Sequence, residues 1–169
     1  IYAELTKMPF DGIGLDFIEG KETCSLIEQY GFPQDKLLFA GLVNGKNIWK
    51  NHYEKTMQIL TKLHEKKITS VLSTSCSLLH VPYTVKHESV LSAKYSSYFA
   101  FAEEKLTELA ELAGLAESKD YHEETAYQEN TKLFAEERDC FNADVHKRLS
   151  LVTELTVVVI LNHIAALPL

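Results

Sequence analysis

The sequence predicts an α/β fold, with parallel strands in the N-terminal half and mostly helices in the C-terminal half. Three short apolar runs, at residues 9–19, 36–43 and 68–79, alternate with amphipathic stretches. Strand and helix alternating at this spacing are typical of parallel βαβ units. The chain has 169 residues, of which 46% are hydrophobic and 24% charged, and this composition indicates a globular domain rather than a disordered segment.

The first strand and helix have clear boundary signals. The strand within residues 9–19 carries Asp16 near its end, and the helix predicted over 22–30 is stopped by Gly31, the residue type that most often follows a helix C-terminus. The second strand, over 36–43, is apolar on both faces, which is the pattern of a parallel strand buried between layers.

A long amphipathic helix and a third strand follow. Apolar residues recur every third or fourth position over residues 51–67; they are Tyr53, Met57, Leu60 and Leu63. The run 68–79 is rich in β-branched residues and predicts the third strand.

The C-terminal half reads as helical. A strong helix is predicted over 98–116, and helical character continues over 119–142. The apolar run 155–166 is interrupted by Asn162 and His163 and is too short to span a membrane, so we expect a buried helix or strand there. The apolar positions of the helix over 98–116 are Phe101, Leu106, Leu109 and Leu112.

Three strands are too few for a closed (β/α)8 barrel, which has eight strands and typically about 250 residues. An open three-stranded parallel sheet leaves its edges and one face badly covered. We therefore expect the chain, which begins at Ile1, to be the last part of a larger α/β domain or to be completed by a partner.

Charge and cysteine content exclude several classes of function. The formal net charge is -7 at pH 7, which argues against a nucleic acid or an anionic membrane as partner, because both require clustered Lys and Arg. The three cysteines, Cys24, Cys76 and Cys140, are odd in number and widely spaced, so they predict neither a disulfide framework nor a metal knuckle. We expect a reducing cytoplasm.

Polar residues follow each predicted strand, where parallel α/β proteins bind ligands. The candidate binding residues are Asp16 after the first strand, Asn44 and Asn47 after the second, and Ser75, Ser77 and His80 after the third.

Each candidate also has a structural interpretation. Asp16 could cap the next helix, Cys76 could be a small buried hydrophobe, and His80 could be a packed histidine between two apolar neighbours. Trp49 is expected in core or rim packing. A Cys76–His80 nucleophile and base lacks a recognisable oxyanion arrangement, and the same pair as zinc ligands lacks a clear third ligand.

Several sequence words carry a family resemblance. They are "GLDFIEG" (14–20), "LFAGLVNGKNIW" (38–49), "STSCSLLHVP" (73–82) and "FAFAEEKLTELAEL" (99–112). In this order and spacing, over residues 9–115, the chain resembles the amino-terminal barrel of cobalamin-independent methionine synthase. The resemblance implies a partial (β/α)8 TIM barrel in residues 1–115, and the helical end of that barrel with the start of the inter-barrel linker in residues 116–169.

The resemblance also implies an activity. This family joins two barrels and transfers a methyl group from 5-methyltetrahydrofolate polyglutamate to homocysteine, with its catalytic zinc in the carboxyl-terminal barrel. By resemblance, Asp16 stands near the place of a zinc-binding Glu of that barrel, and Cys76 in the place of a zinc-binding Cys. We expect no zinc and no other cofactor in this chain, and Cys76 to be a relic of a metal site.

The implied role of the chain is to shape the folate side of the cleft rather than to catalyse. The six candidate residues would line the barrel mouth facing the second barrel, with Lys46 and Lys50 as donors to the anionic folate. The alternative is a free-standing binding or interaction module derived from that barrel, dimeric through its open sheet edge.

Overall fold

The computed structural model describes residues 1–88 and 93–135, and these form a small α/β domain. The first elements are α1 (Tyr2–Leu5), β1 (Gly12–Asp16), α2 (Thr23–Tyr30), β2 (Leu37–Val43), α3 (Tyr53–Glu65) and β3 (Ser70–Thr74). They are followed by α4 (Ala93–Ser96), α5 (Ala102–Glu117) and a further helix, α6, over residues 125–135. Short 3₁₀ turns lie at Leu78–His80, Val85–His87 and Tyr121–Glu123.

The predicted order of strands and helices is confirmed within these residues. The α/β half and the start of the helical half lie where the sequence placed them, whereas α1, α4 and the 3₁₀ turns were not predicted. Residues 136–142 of the predicted C-terminal helical region and the apolar run 155–166 lie outside the described residues.

The three strands form one parallel sheet in the order β1-β2-β3. Gly14 pairs with Phe39, which pairs with Val71, and Ile13 pairs with Leu38 in the next row. Sequence order and spatial order agree, so each strand is added beside the previous one through a helical crossover.

The two faces of this sheet are covered very differently. The packed face carries Ile13, Leu38 and Ala40, which are buried in one cluster with apolar residues of α2, α3 and α5. The open face, the row of Gly14, Phe39 and Val71, takes no part in either hydrophobic cluster formed by the described residues. The residues of α2, α3 and α5 in the packed cluster are Ile27, Tyr53, Met57, Leu60, Leu63, Leu112 and Leu115, and Tyr2 of α1 and Tyr127 of α6 also belong to it.

The sequence analysis assigned the buried face of α5 correctly at Phe101 and Leu112, which are fully buried, and incorrectly at Leu106. Leu106 was expected in the apolar stripe, but it is 57% exposed. The buried positions instead follow Phe101 at steps of three or four residues, as one side of a helix requires. They are Lys105, Glu108, Leu112 and Leu115.

Candidate functional site

The strands are parallel, so the loops that follow them lie at one edge of the sheet, as parallel strand geometry requires. We name them the β1 loop (residues 17–20), the β2 loop (44–51) and the β3 loop (75–80). The candidate residues predicted from the sequence are Asp16 and members of the β2 and β3 loops, and this edge is the candidate site.

Asp16 shapes the β1 loop. Its Oδ1 accepts hydrogen bonds from the amides of Ile18 at 2.7 Å and Glu19 at 3.0 Å. The hydroxyl of Thr23 donates to the Asp16 carbonyl at 2.6 Å. The interpretation of Asp16 as a cap of the next helix is wrong, because the two amides belong to the loop and α2 begins only at Thr23.

The two asparagines of the β2 loop fold that loop on itself. Asn44 Oδ1 accepts from the amides of Lys46 at 2.8 Å and Asn47 at 3.1 Å, an arrangement for which asparagine is well suited in turns. Asn47 Oδ1 accepts from the amide of Trp49 at 3.2 Å and from Lys105 Nζ at 3.3 Å. Both side-chain oxygens are therefore engaged in shaping the loop.

Lys46 links the β1 and β2 loops. Its Nζ lies 2.5 Å from Glu19 Oε2, and both side chains are more than half exposed. The hydrogen bond with Glu19 raises the pKa of Lys46. An anion that contacts Lys46 must therefore compete with Glu19 for this ammonium.

The β2 and β3 loops touch at Gly45. Its amide donates to Ser75 Oγ at 3.2 Å, and the Ser75 amide donates to the Val43 carbonyl at 2.7 Å. A Cβ added at Gly45 would lie 2.9 Å from Cys76 Sγ and closer still to the Cys76 carbonyl oxygen. This close approach requires glycine at 45, and it places the half-buried thiol of Cys76 against the β2 loop.

Ser77 and His80 are the exposed members of the site. Ser77 Oγ accepts from the Leu79 amide at 3.3 Å and so caps the 3₁₀ turn that carries His80. The interpretation of His80 as a packed histidine is wrong, because its side chain is exposed and neighbouring Leu79 is 86% exposed.

Trp49 lies at the rim of the edge. Its ring stacks on Phe99 with centroids 5.1 Å apart, and the two residues form an isolated antiparallel bridge. The indole is 39% exposed, so the expected rim packing is confirmed.

The sequence analysis missed two buried charges beneath the β2 loop. Lys105 is fully buried, and its Nζ donates to the Trp49 carbonyl at 3.1 Å as well as to Asn47. Glu108 is 4% exposed, and its Oε1 accepts from the Asn51 amide at 2.8 Å. The helical spacing of the sequence could have predicted their burial, because both residues fall on the helical face that continues from Phe101 to Leu112.

Burial changes the acidity of both groups in the direction that favours neutrality. It lowers the pKa of Lys105, an effect that the negative charge of Glu108 opposes. It raises the pKa of Glu108, an effect that the hydrogen bond from the Asn51 amide opposes.

The arrangement is suited to binding and orientation. Amide, hydroxyl and imidazole groups line one edge, and most of the candidate oxygens already hold backbone amides. Within residues 1–88 and 93–135, no group of three His, Cys, Asp or Glu side chains is placed to hold a metal ion. In the same part of the chain, no helix is long and apolar enough to cross a bilayer.

Comparison with known proteins finds a family that the first part of the chain resembles. Residues 1–68 match the family described as cobalamin-independent synthase, N-terminal domain. The family resemblance predicted from the sequence is therefore confirmed. The matched residues run from α1 to the end of the crossover that leads into β3.

Relatives extend the match to nearly the whole chain. A protein of Lactococcus lactis subsp. lactis (strain IL1403) named 5-methyltetrahydropteroyltriglutamate–homocysteine methyltransferase is 48% identical over 154 residues. A protein of the same name from Campylobacter jejuni (strain 81-176) is 46% identical over 149 residues. These matches cover 90% and 88% of this chain, more than the 9–115 span that the sequence words marked.

The same matches cover a much smaller share of the relatives than of this chain. The chain spans 20% of the length of each of these two relatives. The matched region is therefore a small share of each of these two relatives.

Proposed function

We propose that this chain is a segment of a methyltransferase that moves a methyl group from 5-methyltetrahydropteroyl polyglutamate to homocysteine to form methionine. The names and identities of the relatives support this assignment. The match to an N-terminal domain supports placing the segment in the amino-terminal part of such an enzyme. The segment alone is proposed to be inactive.

The observation that carries the proposal is the open face. Consecutive parallel strands with one helix-packed face and one uncovered face are what a piece of a (β/α)8 barrel would show, because barrel helices lie outside and the other face lines the interior. We propose that Gly14, Phe39 and Val71 face that interior. The strands that complete the barrel would come from the same longer polypeptide.

The strand-tip edge is proposed to form the mouth of this barrel, facing a second barrel across the folate site. The proposed lining residues fall into two groups, those that hydrogen-bond within the loops and those that are exposed. Asn44, Asn47 and Ser75 hold the loops in shape. Ser77 and His80 are exposed and are proposed to contact the substrate or the opposing barrel.

Zinc in the proposed enzyme would be held outside this segment. The acid that by resemblance stands near a ligand position, Asp16, uses Oδ1 for two loop amides. The thiol of Cys76 lies against Gly45 and 3.7 Å from the Ser77 carbonyl oxygen. These contacts favour a structural role for Asp16 and Cys76 rather than a role as metal ligands. The cytoplasm is the proposed location, in keeping with free thiols at Cys24 and Cys76.

The assignment is tested on the protein isolated from its source, by intact mass, zinc content and a methyl-transfer assay with both substrates. We expect a mass several times 19.2 kDa, about one zinc per chain and methionine formation. A zinc-free 19.2 kDa protein that forms dimers and no methionine would establish the alternative, a free-standing interaction module.

The binding role of the β3 loop is tested by Ser77→Ala combined with His80→Ala in the whole enzyme. We expect a higher KM for the methyltetrahydropteroyl substrate, because both side chains are exposed at the proposed mouth. The matched control is Ser25→Ala with His64→Ala, an exposed serine and histidine on α2 and α3. An unchanged KM in the loop variant would remove both residues from the substrate site.

A further inference from the structure

Lys105 places a positive charge where water does not reach it. The side chain is fully buried, and its Nζ contacts two acceptors on the β2 loop, Asn47 Oδ1 at 3.3 Å and the Trp49 carbonyl at 3.1 Å. Among the described residues, its Nζ has no carboxylate within ion-pair distance. Burying a charge on neutral acceptors is unfavourable, so an apolar residue at this position would be the simpler choice for packing alone.

Glu108 repeats the pattern one turn later on α5. Its Oε1 holds the Asn51 amide at 2.8 Å, while its Oε2 is buried without a hydrogen-bond partner in the described part of the chain. The cation thus holds the middle of the β2 loop and the anion holds its end. The helix α5 therefore adds two buried anchors to a loop that is also held by its own turn bonds, by Ser75 and by the bridge between Trp49 and Phe99.

The loop held in this way presents the groups of the candidate site. Asn47 is a candidate binding residue, Lys46 projects toward Glu19 of the β1 loop, and Trp49 lies at the rim. Gly45 of the same loop contacts the backbone of the β3 loop. A displacement of the β2 loop would thus move groups in all three loops.

We propose that Lys105 is a positioning residue for the β2 loop, its buried ammonium fixing Asn47 and the Trp49 main chain in the orientation that the substrate site needs. The link to substrate rests on the proposed function, but the positioning itself does not. Lys105 acts through Asn47 and Trp49 and touches no reacting group.

The test is hydrogen exchange, followed by mass spectrometry, in the whole enzyme carrying Lys105→Met. Methionine keeps much of the length and apolar volume of lysine and removes the donor. Exchange of amides in peptides covering 44–51 should become about tenfold faster, because losing a hydrogen bond to a charged group lowers the free energy of local opening and raises the opening equilibrium constant by about that factor. Peptides within α3 (Tyr53–Glu65) should keep the wild-type rate.

The matched control is Lys119→Met, the same substitution at an exposed lysine just beyond α5, which should leave exchange at 44–51 unchanged. Wild-type exchange at 44–51 in Lys105→Met would overturn the proposal. Faster exchange that extends equally through α3 would also overturn it, because Lys105 would then be a general stability residue. Should Lys105→Met fail to fold, Lys105→Gln decides, because it removes the charge and keeps a polar end: faster exchange at 44–51 with wild-type exchange in α3 supports the proposal, and wild-type exchange at 44–51 overturns it.

Kinetics separate this proposal from the proposed function. We expect Lys105→Met to raise KM for the methyltetrahydropteroyl substrate severalfold with a smaller change in kcat. A loosened loop with an unchanged KM would support Lys105 as a positioning residue and remove the β2 loop from the folate site.

Discussion

Leu38 and Phe39 are neighbours in β2, yet Leu38 is fully buried and Phe39 is 42% exposed. Their side chains point to opposite faces of the sheet, as successive residues in a strand do. On one side the chain supplies its own cover from α2, α3 and α5, and on the other side Phe39 and Val71, also 42% exposed, remain partly in solvent. The difference supports the proposal that a second layer covers the other face of this sheet, because the described residues cover only one face.

The open face has an uneven apolar surface, formed by the Phe39 ring beside glycine residues. A Cβ added at Gly12 would lie 2.9 Å from Phe39 Cε2, so the aromatic ring extends over β1 where that strand has no side chain. A large ring beside glycines forms an apolar surface with a ridge and a hollow. Such a surface is better suited to packing against further side chains than to contact with water.

The largest effect expected from this comparison is at β2 itself. Leu38→Ala should lower the free energy of unfolding of this chain by about 2–5 kcal/mol, because it opens a cavity in the packed cluster. Phe39→Ala should lower it by about 1 kcal/mol, because the ring is already part-exposed. Urea denaturation of the two variants measures both values. Equal losses would mean that the two faces are equally covered in this chain.

A smaller effect is expected from two glycines. Gly45→Ala should destabilise by about 1–3 kcal/mol, because the new methyl group would overlap the Cys76 backbone and force the β2 and β3 loops apart. Gly14→Ala is the matched control on the open face, since its Cβ would meet only Phe39 Cβ at 3.9 Å. Thermal unfolding of both variants checks the contrast, and a cost at Gly14 as large as that at Gly45 would show that the open face is filled.

The smallest effect is a pH dependence on the packed side. Burial raises the pKa of Glu108 above its usual 4.5, so the folded state binds this proton more tightly than the unfolded state does. Its contribution to stability is full below the unfolded pKa and is lost as pH rises through the folded pKa. The free energy of unfolding of the wild type relative to Glu108→Gln should therefore increase as the pH is lowered from neutral toward 4.5. A difference independent of pH would contradict the burial of this carboxyl.

The sequence predicted the strands and helices because hydrophobic periodicity reflects which positions are buried. The residues Tyr53, Met57, Leu60 and Leu63 of α3 are all buried as the pattern indicated. It failed at Leu106 because apolar character alone was taken to mean burial, whereas the geometry of α5 places Lys105 and Glu108 on the inner face.

The candidate edge was predictable and its internal bonds were not. Parallel strands bring their ends together, so Asn44 and Ser75 had to lie at one edge. That Asn47 accepts from Lys105, 58 positions along the chain, depends on how α5 packs under the loop, and no local pattern contains that information. The roles of Ser77 and His80 in binding stay predictions.

The most direct measurement of the central claim is thiol labelling at Phe39→Cys, in this chain alone and in the longer polypeptide proposed to contain it. Digestion by trypsin isolates residue 39 in the peptide 37–46, which has no natural cysteine. Leu106→Cys, at a position 57% exposed on the outside of α5, is the control and should react in both proteins. If the open face is the interior of a barrel, Phe39→Cys reacts in the chain alone and is strongly protected in the longer polypeptide. Equal labelling of Phe39→Cys in both proteins would contradict the account.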